Sequence, residues 1–151
     1  MAVEATPAGL TRRLAAAAYD GLLLVAAWLA ATAVLMPLVR APIPAHSGWF
    51  QAYLIAVSFL FFGWFWTHGG QTLGMRAWRL RVVSADGGRV PWRRALLRFL
   101  AAALSWGLAG LGVLWCLADA KRRTVHDRLS GTRVVLLPAP AVRPRRRNKP
   151  H

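Results

Sequence analysis

The sequence predicts an all-α membrane protein: two transmembrane helices, a third hydrophobic segment broken by glycines, and a small cytoplasmic β-hairpin or strand element. Three observations lead there. Hydrophobic residues make up 56% of the 151 residues and the mean hydropathy is +0.38. The formal charge of +15 is segregated, with long charge-free stretches alternating with Arg-rich ones, which is the pattern of loops and spans in a bilayer. Finally, residues 14–36 contain one charge, Asp20, inside an otherwise unbroken apolar run.

At 1.5 Å per residue, residues 14–36 reach about 34 Å as a helix, enough to cross a hydrocarbon core. Pro37 is the expected stop. Asp20 then lies roughly 9 Å past the start of the run, where an ionised aspartate costs on the order of 2.5–3.5 kcal/mol and requires a partner or a wet cavity. Arg13 stands seven residues earlier, on the same helical face. It can extend toward the interface, so the partner expected for Asp20 is Arg94 or Arg98, at the start of the third segment. Arg12-Arg13 before an apolar run resembles an export signal. The run is longer than a signal core, carries Asp20, and ends without a small-residue cleavage site, so a retained helix is expected.

Residues 37–48 form a Pro-rich loop, and residues 49–67 give a second charge-free span of about 28 Å. Aromatic residues mark both of its ends (Trp49, Phe50 and Tyr53; Trp64, Phe65 and Trp66), as interfacial belts do. Residues 68–98 hold seven arginines against Asp86 alone. Within them Leu80-Arg81-Val82-Val83 reads as a strand and Ser84-Ala85-Asp86-Gly87-Gly88 as a turn, which together suggest a local hairpin on the membrane surface. Pro91-Trp92 suits the first turn of the next helix.

The third segment, residues 99–118, is long enough to span, but Gly107, Gly110 and Gly112 weaken its middle and basic residues flank both ends. A straight crossing would carry ten basic residues, from Lys121 to Lys149, to the outside, against the positive-inside bias. The favoured arrangement is therefore a re-entrant hairpin, helices 91–106 and 111–124, sheltered by the first two spans. A straight third span is the alternative. Residues 1–8 are a lead, and 138–151 form a basic Pro/Arg tail too polar to fold alone.

Several functional classes are disfavoured. Basic residues clustered at span ends fit anionic lipid headgroups better than nucleic acid. A single cysteine, Cys116, excludes an intramolecular disulfide or a cysteine metal cluster. His126 beside Asp127 lacks both a motif-borne nucleophile and a second histidine at ligand spacing, so neither an enzyme, a metal nor a cofactor is expected. Thr124-Val125-His126-Asp127 has capping-box spacing, with Gly131 to close a short helix. Asp127 is also expected to face the Arg-rich 76–98 surface and clamp a C-terminal strand beginning at Thr132 against residues 79–83. Gly70-Gln71-Thr72-Leu73-Gly74 lacks the Lys-Ser/Thr of a phosphate loop and reads as a turn with close backbone contact.

Taken in order, Arg13 and Asp20, Gly70-Gln-Thr-Leu-Gly74, Leu80-Arg-Val-Val83 with its Asp-Gly turn, and His126-Asp-Arg-Leu-Ser-Gly-Thr132-Arg-Val-Val135 resemble the RDD family, named for one arginine and two aspartates. The likeness spans roughly residues 9–137. Arg13 would be the family arginine, Asp20 the first aspartate and Asp127 the second; Met75 stands where such proteins commonly carry a basic residue. The resemblance implies a small multi-pass protein of the bacterial cytoplasmic membrane. It implies no established activity, although transport has been suggested for the family. The expected role is structural or accessory, with a transporter or ion-exchange component using Asp20 as the alternative and a homo-oligomer as a partner state. The N-terminus and residues 68–98 are expected in the cytoplasm.

Overall fold

The computed structural model describes residues 8–39, 42–44, 46–107, 115 and 124–138. Helix α1 (Leu10–Val39) and helix α2 (Gly48–His68) are both long and apolar enough to cross a membrane. Then come the short helix α3 (Leu73–Ala77), strand β1 (Leu80–Ser84), helix α4 (Trp92–Gly107), the short helix α5 (Val125–Leu129) and strand β2 (Thr132–Leu136). The strands make a two-stranded antiparallel sheet.

α1 starts four residues before the apolar run and continues past Pro37, which lies in its last turn. A proline removes one N–H from a helix, a loss tolerated inside membrane helices. Only Ala16 and Asp20 of α1 are buried, while Leu22, Leu29, Val34 and Leu38 are each about 70% exposed. An apolar helix so bare of protein has lipid as its natural neighbour. Two polar staples tie α1 to an antiparallel α2: Trp28 Nε1 donates to Ser58 Oγ at 2.9 Å and Tyr53 Oη donates to the Ala31 carbonyl at 2.9 Å. Ser58 Oγ in turn donates to the Leu54 carbonyl at 2.7 Å, so these groups bring their partners with them into an apolar medium. α2 meets α4 where Gly63 leaves room for the Trp92 ring, which a Cβ there would approach to 2.8 Å.

The expected local hairpin does not form. Gly87, at φ +84°, donates to the Ser84 carbonyl at 2.8 Å and the chain leaves for α4 instead. Only Arg89 and Val90 separate Gly88 from Pro91, too few residues for a return strand. β1 pairs with β2, in the register Leu80↔Leu136 to Ser84↔Thr132. Leu80, Val82 and Val134 point inward and Arg81 and Arg133 outward, the period-two pattern of a half-buried sheet, except that Val135, opposite Arg81, is buried as well. The core gathers Ala16, Trp66, Met75, Leu80, Val82 and Ala95 around that inner face. α4 buries Ala95, Arg98, Ala101 and Ser105 on one side. It accounts for the first helix of the expected hairpin; the second, 111–124, lies outside the described residues except for Trp115 and Thr124, as does the tail beyond Pro138.

Candidate functional site

The site is built from two buried carboxylates. Asp127 is held by the geometry of α5, where Thr124 Oγ1 accepts from the Asp127 N–H at 3.3 Å and the Thr124 N–H donates to Asp127 Oδ2 at 3.2 Å, a complete capping box. Gly131, at φ +60°, then turns the chain into β2. Capping leaves the carboxylate facing inward, where Arg13 Nη1 from α1 donates to Oδ2 at 2.7 Å and Arg98 Nη1 from α4 donates to Oδ1. The three side chains are 8%, 6% and 0% exposed for Arg13, Arg98 and Asp127.

Around this core the remaining donors are placed in sequence. Arg13 Nε donates to the Ala8 carbonyl at 3.2 Å. Arg98 Nη1 also donates to Thr132 Oγ1 at 2.8 Å. Ser130 Oγ donates to the His126 carbonyl at 2.6 Å. With its one proton spent, it accepts from Thr132 Oγ1 at 2.7 Å. The Arg98 guanidinium lies 5.1 Å above the Trp66 ring, a cation–π contact that is strongest when desolvated. Burial alone would raise the Asp127 carboxyl, but the guanidiniums of Arg98 and Arg13 outweigh it and hold the group well below the usual carboxylate range. For His126 burial and the nearby Arg98 charge prevail over the pull of Asp127, and its pKa falls to about 3. The imidazole is therefore neutral at neutral pH.

Asp20, 5% exposed, is satisfied without an arginine. Thr72 Oγ1 donates to its Oδ2 at 2.5 Å and the Gly74 N–H donates to its Oδ1 at 2.9 Å. Thr72 is also the N-cap of α3, accepting from the Met75 N–H at 3.2 Å. The expected contact of Asp20 with Arg94 or Arg98 is thus not made. Arg98 is engaged by Asp127 and Thr132, and Arg94 lies 3.7 Å from the exposed Asp86 at the surface. Asp20 receives the start of α3 because Gly74 lets that backbone close on α1: a Cβ there would collide with the Ala16 carbonyl and come within 2.9 Å of Asp20 Oδ1. Gly70, at φ +70°, does the same against β1, where the Val82 N–H donates to the Gly70 carbonyl at 2.7 Å.

An arginine and an aspartate on the first helix and an aspartate after the third segment thus anchor two buried polar clusters, which share α1. The profile described as RDD family matches residues 7–131. The chain belongs to the RDD family. No curated protein and no solved structure matches it. RDD membership together with two apolar helices of spanning length makes this a membrane protein.

In this RDD chain members of both clusters, Arg13, Arg98 and His126 with Asp20 and Thr72, line one cavity of about 500 Å³. Among the described residues no three His, Cys, Asp or Glu side chains gather as metal ligands. Thr72, Ser130 and Trp66 were not singled out from the sequence as members of the site. Thr72 carried a detectable signal, a threonine three residues before Met75 at a helix start. Trp66 carried none, since it reads as one more interfacial aromatic.

Proposed function

We propose that this RDD protein is a non-enzymatic structural or accessory component of a bacterial cytoplasmic membrane, multi-pass, with its N-terminus and the Arg-rich 68–98 segment in the cytoplasm. The observation that carries the reading is the Arg13–Asp127–Arg98 cluster. One fully buried carboxylate takes a guanidinium from α1 and another from α4 while capping its own helix, so its lone pairs are committed to holding three elements together. A buried charge cluster of this kind is costly to break from one side, which suits a fastener. The broad exposed apolar faces of α1 and α2 support assembly with further copies in the bilayer, and the outward arginines support contact with anionic headgroups, each worth about 1 kcal/mol near the surface. Neither nucleic acid nor a small-molecule substrate is part of the reading.

A second reading, a transporter or ion-exchange component, draws on one observation: Asp20 lines the cavity, and an ionisable residue within a span marks polar pathways. Asp20→Asn separates the two. The structural reading expects reduced assembly, because an amide cannot accept at both former oxygens, and no ion or proton flux in proteoliposomes of either protein. Normal assembly of the variant with loss of a flux that the wild type carries would replace it with the transport reading.

A further inference from the structure

The end of the molecule that holds the two clusters also exposes aromatic side chains from successive elements: Tyr19 of α1, Trp64 of α2, Trp78 just after α3 and Trp92 at the start of α4. Tyrosine and tryptophan collect where hydrocarbon gives way to headgroups, because their rings are apolar and their polar atoms keep to water. α3 is flanked by two of these residues, Tyr19 beside its anchor Asp20 and Trp78 at its own end. Its Gly74 N–H donates to Asp20, and its backbone closes on the Ala16 carbonyl. Those contacts fall two and six residues after Leu14, the first residue of the apolar run, or about 3–9 Å along it. α3 is therefore held at the level where a span enters lipid.

This short helix turns one face to the protein and one outward. Gly74 and Met75 are buried against α1 and the core. Leu73, Arg76 and Ala77, at the i, i+3, i+4 spacing of a single helical face, are exposed, as is Trp78. The outer face thus offers apolar surface and one guanidinium. The sheet at the same end shows the opposite character, since Arg81 and Arg133 are its exposed side chains along the strands. Water suits the sheet. The face of α3 suits the boundary between acyl chains and headgroups, where apolar groups insert and an arginine extends to phosphate. A second copy of this chain covering so small a patch by a two-fold contact would bring Arg76 against its own image, a like-charge meeting that an anionic headgroup avoids.

We propose that α3 is an interfacial lipid anchor, with Leu73 and Trp78 entering the boundary between headgroups and acyl chains and Arg76 meeting a lipid phosphate. This rests on the lipid contact proposed above and deepens it by naming the element that makes it. Because Thr72 and Gly74 donate to the two oxygens of Asp20, the same element joins the leaflet to a buried carboxylate.

Spin labels on single cysteines in a Cys116→Ser background test this, with the full chain in phosphatidylglycerol–phosphatidylcholine vesicles. The labels go at Leu73 and Ala77, at Arg133 on the sheet and at Leu22 on the bare side of α1, all exposed positions where a label leaves the core intact. Collision with oxygen, which concentrates in hydrocarbon, is compared with collision with a neutral water-soluble nickel chelate. Oxygen should dominate at 73, 77 and 22, and nickel at 133. Arg76→Glu should lower the oxygen-to-nickel ratio at 73; an unchanged ratio overturns the phosphate contact. Nickel dominance at 73 and 77 with oxygen still dominant at 22 overturns the anchor and leaves the lipid-facing reading of α1 standing. Nickel dominance at 22 as well overturns both. Weak collision with both reagents at 73 and 77 also overturns the anchor, since a second copy would then cover α3.

Discussion

His126 shows how burial and charge act on one side chain. Its pKa of about 3 in the folded protein lies below the ordinary value of 6.5 because burial and then Arg98 disfavour the imidazolium, with Arg13 adding to the effect and Asp127 opposing it. Below pH 6.5 the unfolded chain binds a proton that the folded chain refuses, so stability is full above that pH and falls as pH drops toward 3. Thermal unfolding in detergent should show the midpoint declining between pH 6.5 and 4. His126→Phe should flatten that decline; an unchanged slope would place the titration elsewhere. Asp127 works in the opposite direction and lower, since its depressed carboxyl keeps its stabilising charge until strongly acid pH. Of these residues the sequence marked Asp127 by its capping spacing and by the arginines upstream. It did not distinguish which arginine would meet which aspartate, because that depends on where α3 and α4 land on α1.

Short elements do the positioning that the long helices cannot. α3 has five residues, yet its first turn satisfies Asp20, and it reaches α1 only because Gly74 has no side chain. Gly74→Ala should force the two backbones apart and cost about 1–3 kcal/mol of stability, as overpacking does. Gly69→Ala, where a Cβ meets nothing within 4 Å, should have a far smaller effect on the unfolding midpoint, and equal losses would argue against close approach as the cause. The long helices were legible from apolar length alone, and α5 from its capping box. The pairing of β1 was only partly legible. The Asp-Gly turn suggested a local return, whereas the brief interval before Pro91 and the similar pattern of Thr132-Arg133-Val134-Val135-Leu136 favour the distant strand, and the Asp127 clamp pointed to it. Local turn chemistry describes how the chain bends, but which strand lies alongside is decided by where the helices carry the chain.

Over the whole molecule, the polar framework sits at one end of two lipid-facing helices, gathering α1, α4, α5 and the sheet. The proposed cytoplasmic orientation of that end rests on the arginines of 68–98. In a Cys116→Ser background, single cysteines at Asp86 and at Ala141, the latter outside the described residues, should both be shielded from an impermeant reagent added outside intact cells. Labelling at 141 alone would establish that the third segment crosses. The central claim is that Asp127 holds the fold by joining helices far apart in sequence. A double-mutant cycle on Arg98→Met and Asp127→Leu tests it most directly, read as unfolding free energy in mixed micelles. Asp127→Leu should lose about 3–5 kcal/mol, since it leaves two buried guanidiniums without their carboxylate, and Arg98→Met should lose less, since Arg13 still faces Asp127. The double variant should lose less than the sum by at least about 1.5 kcal/mol. Losses that simply add would contradict the claim.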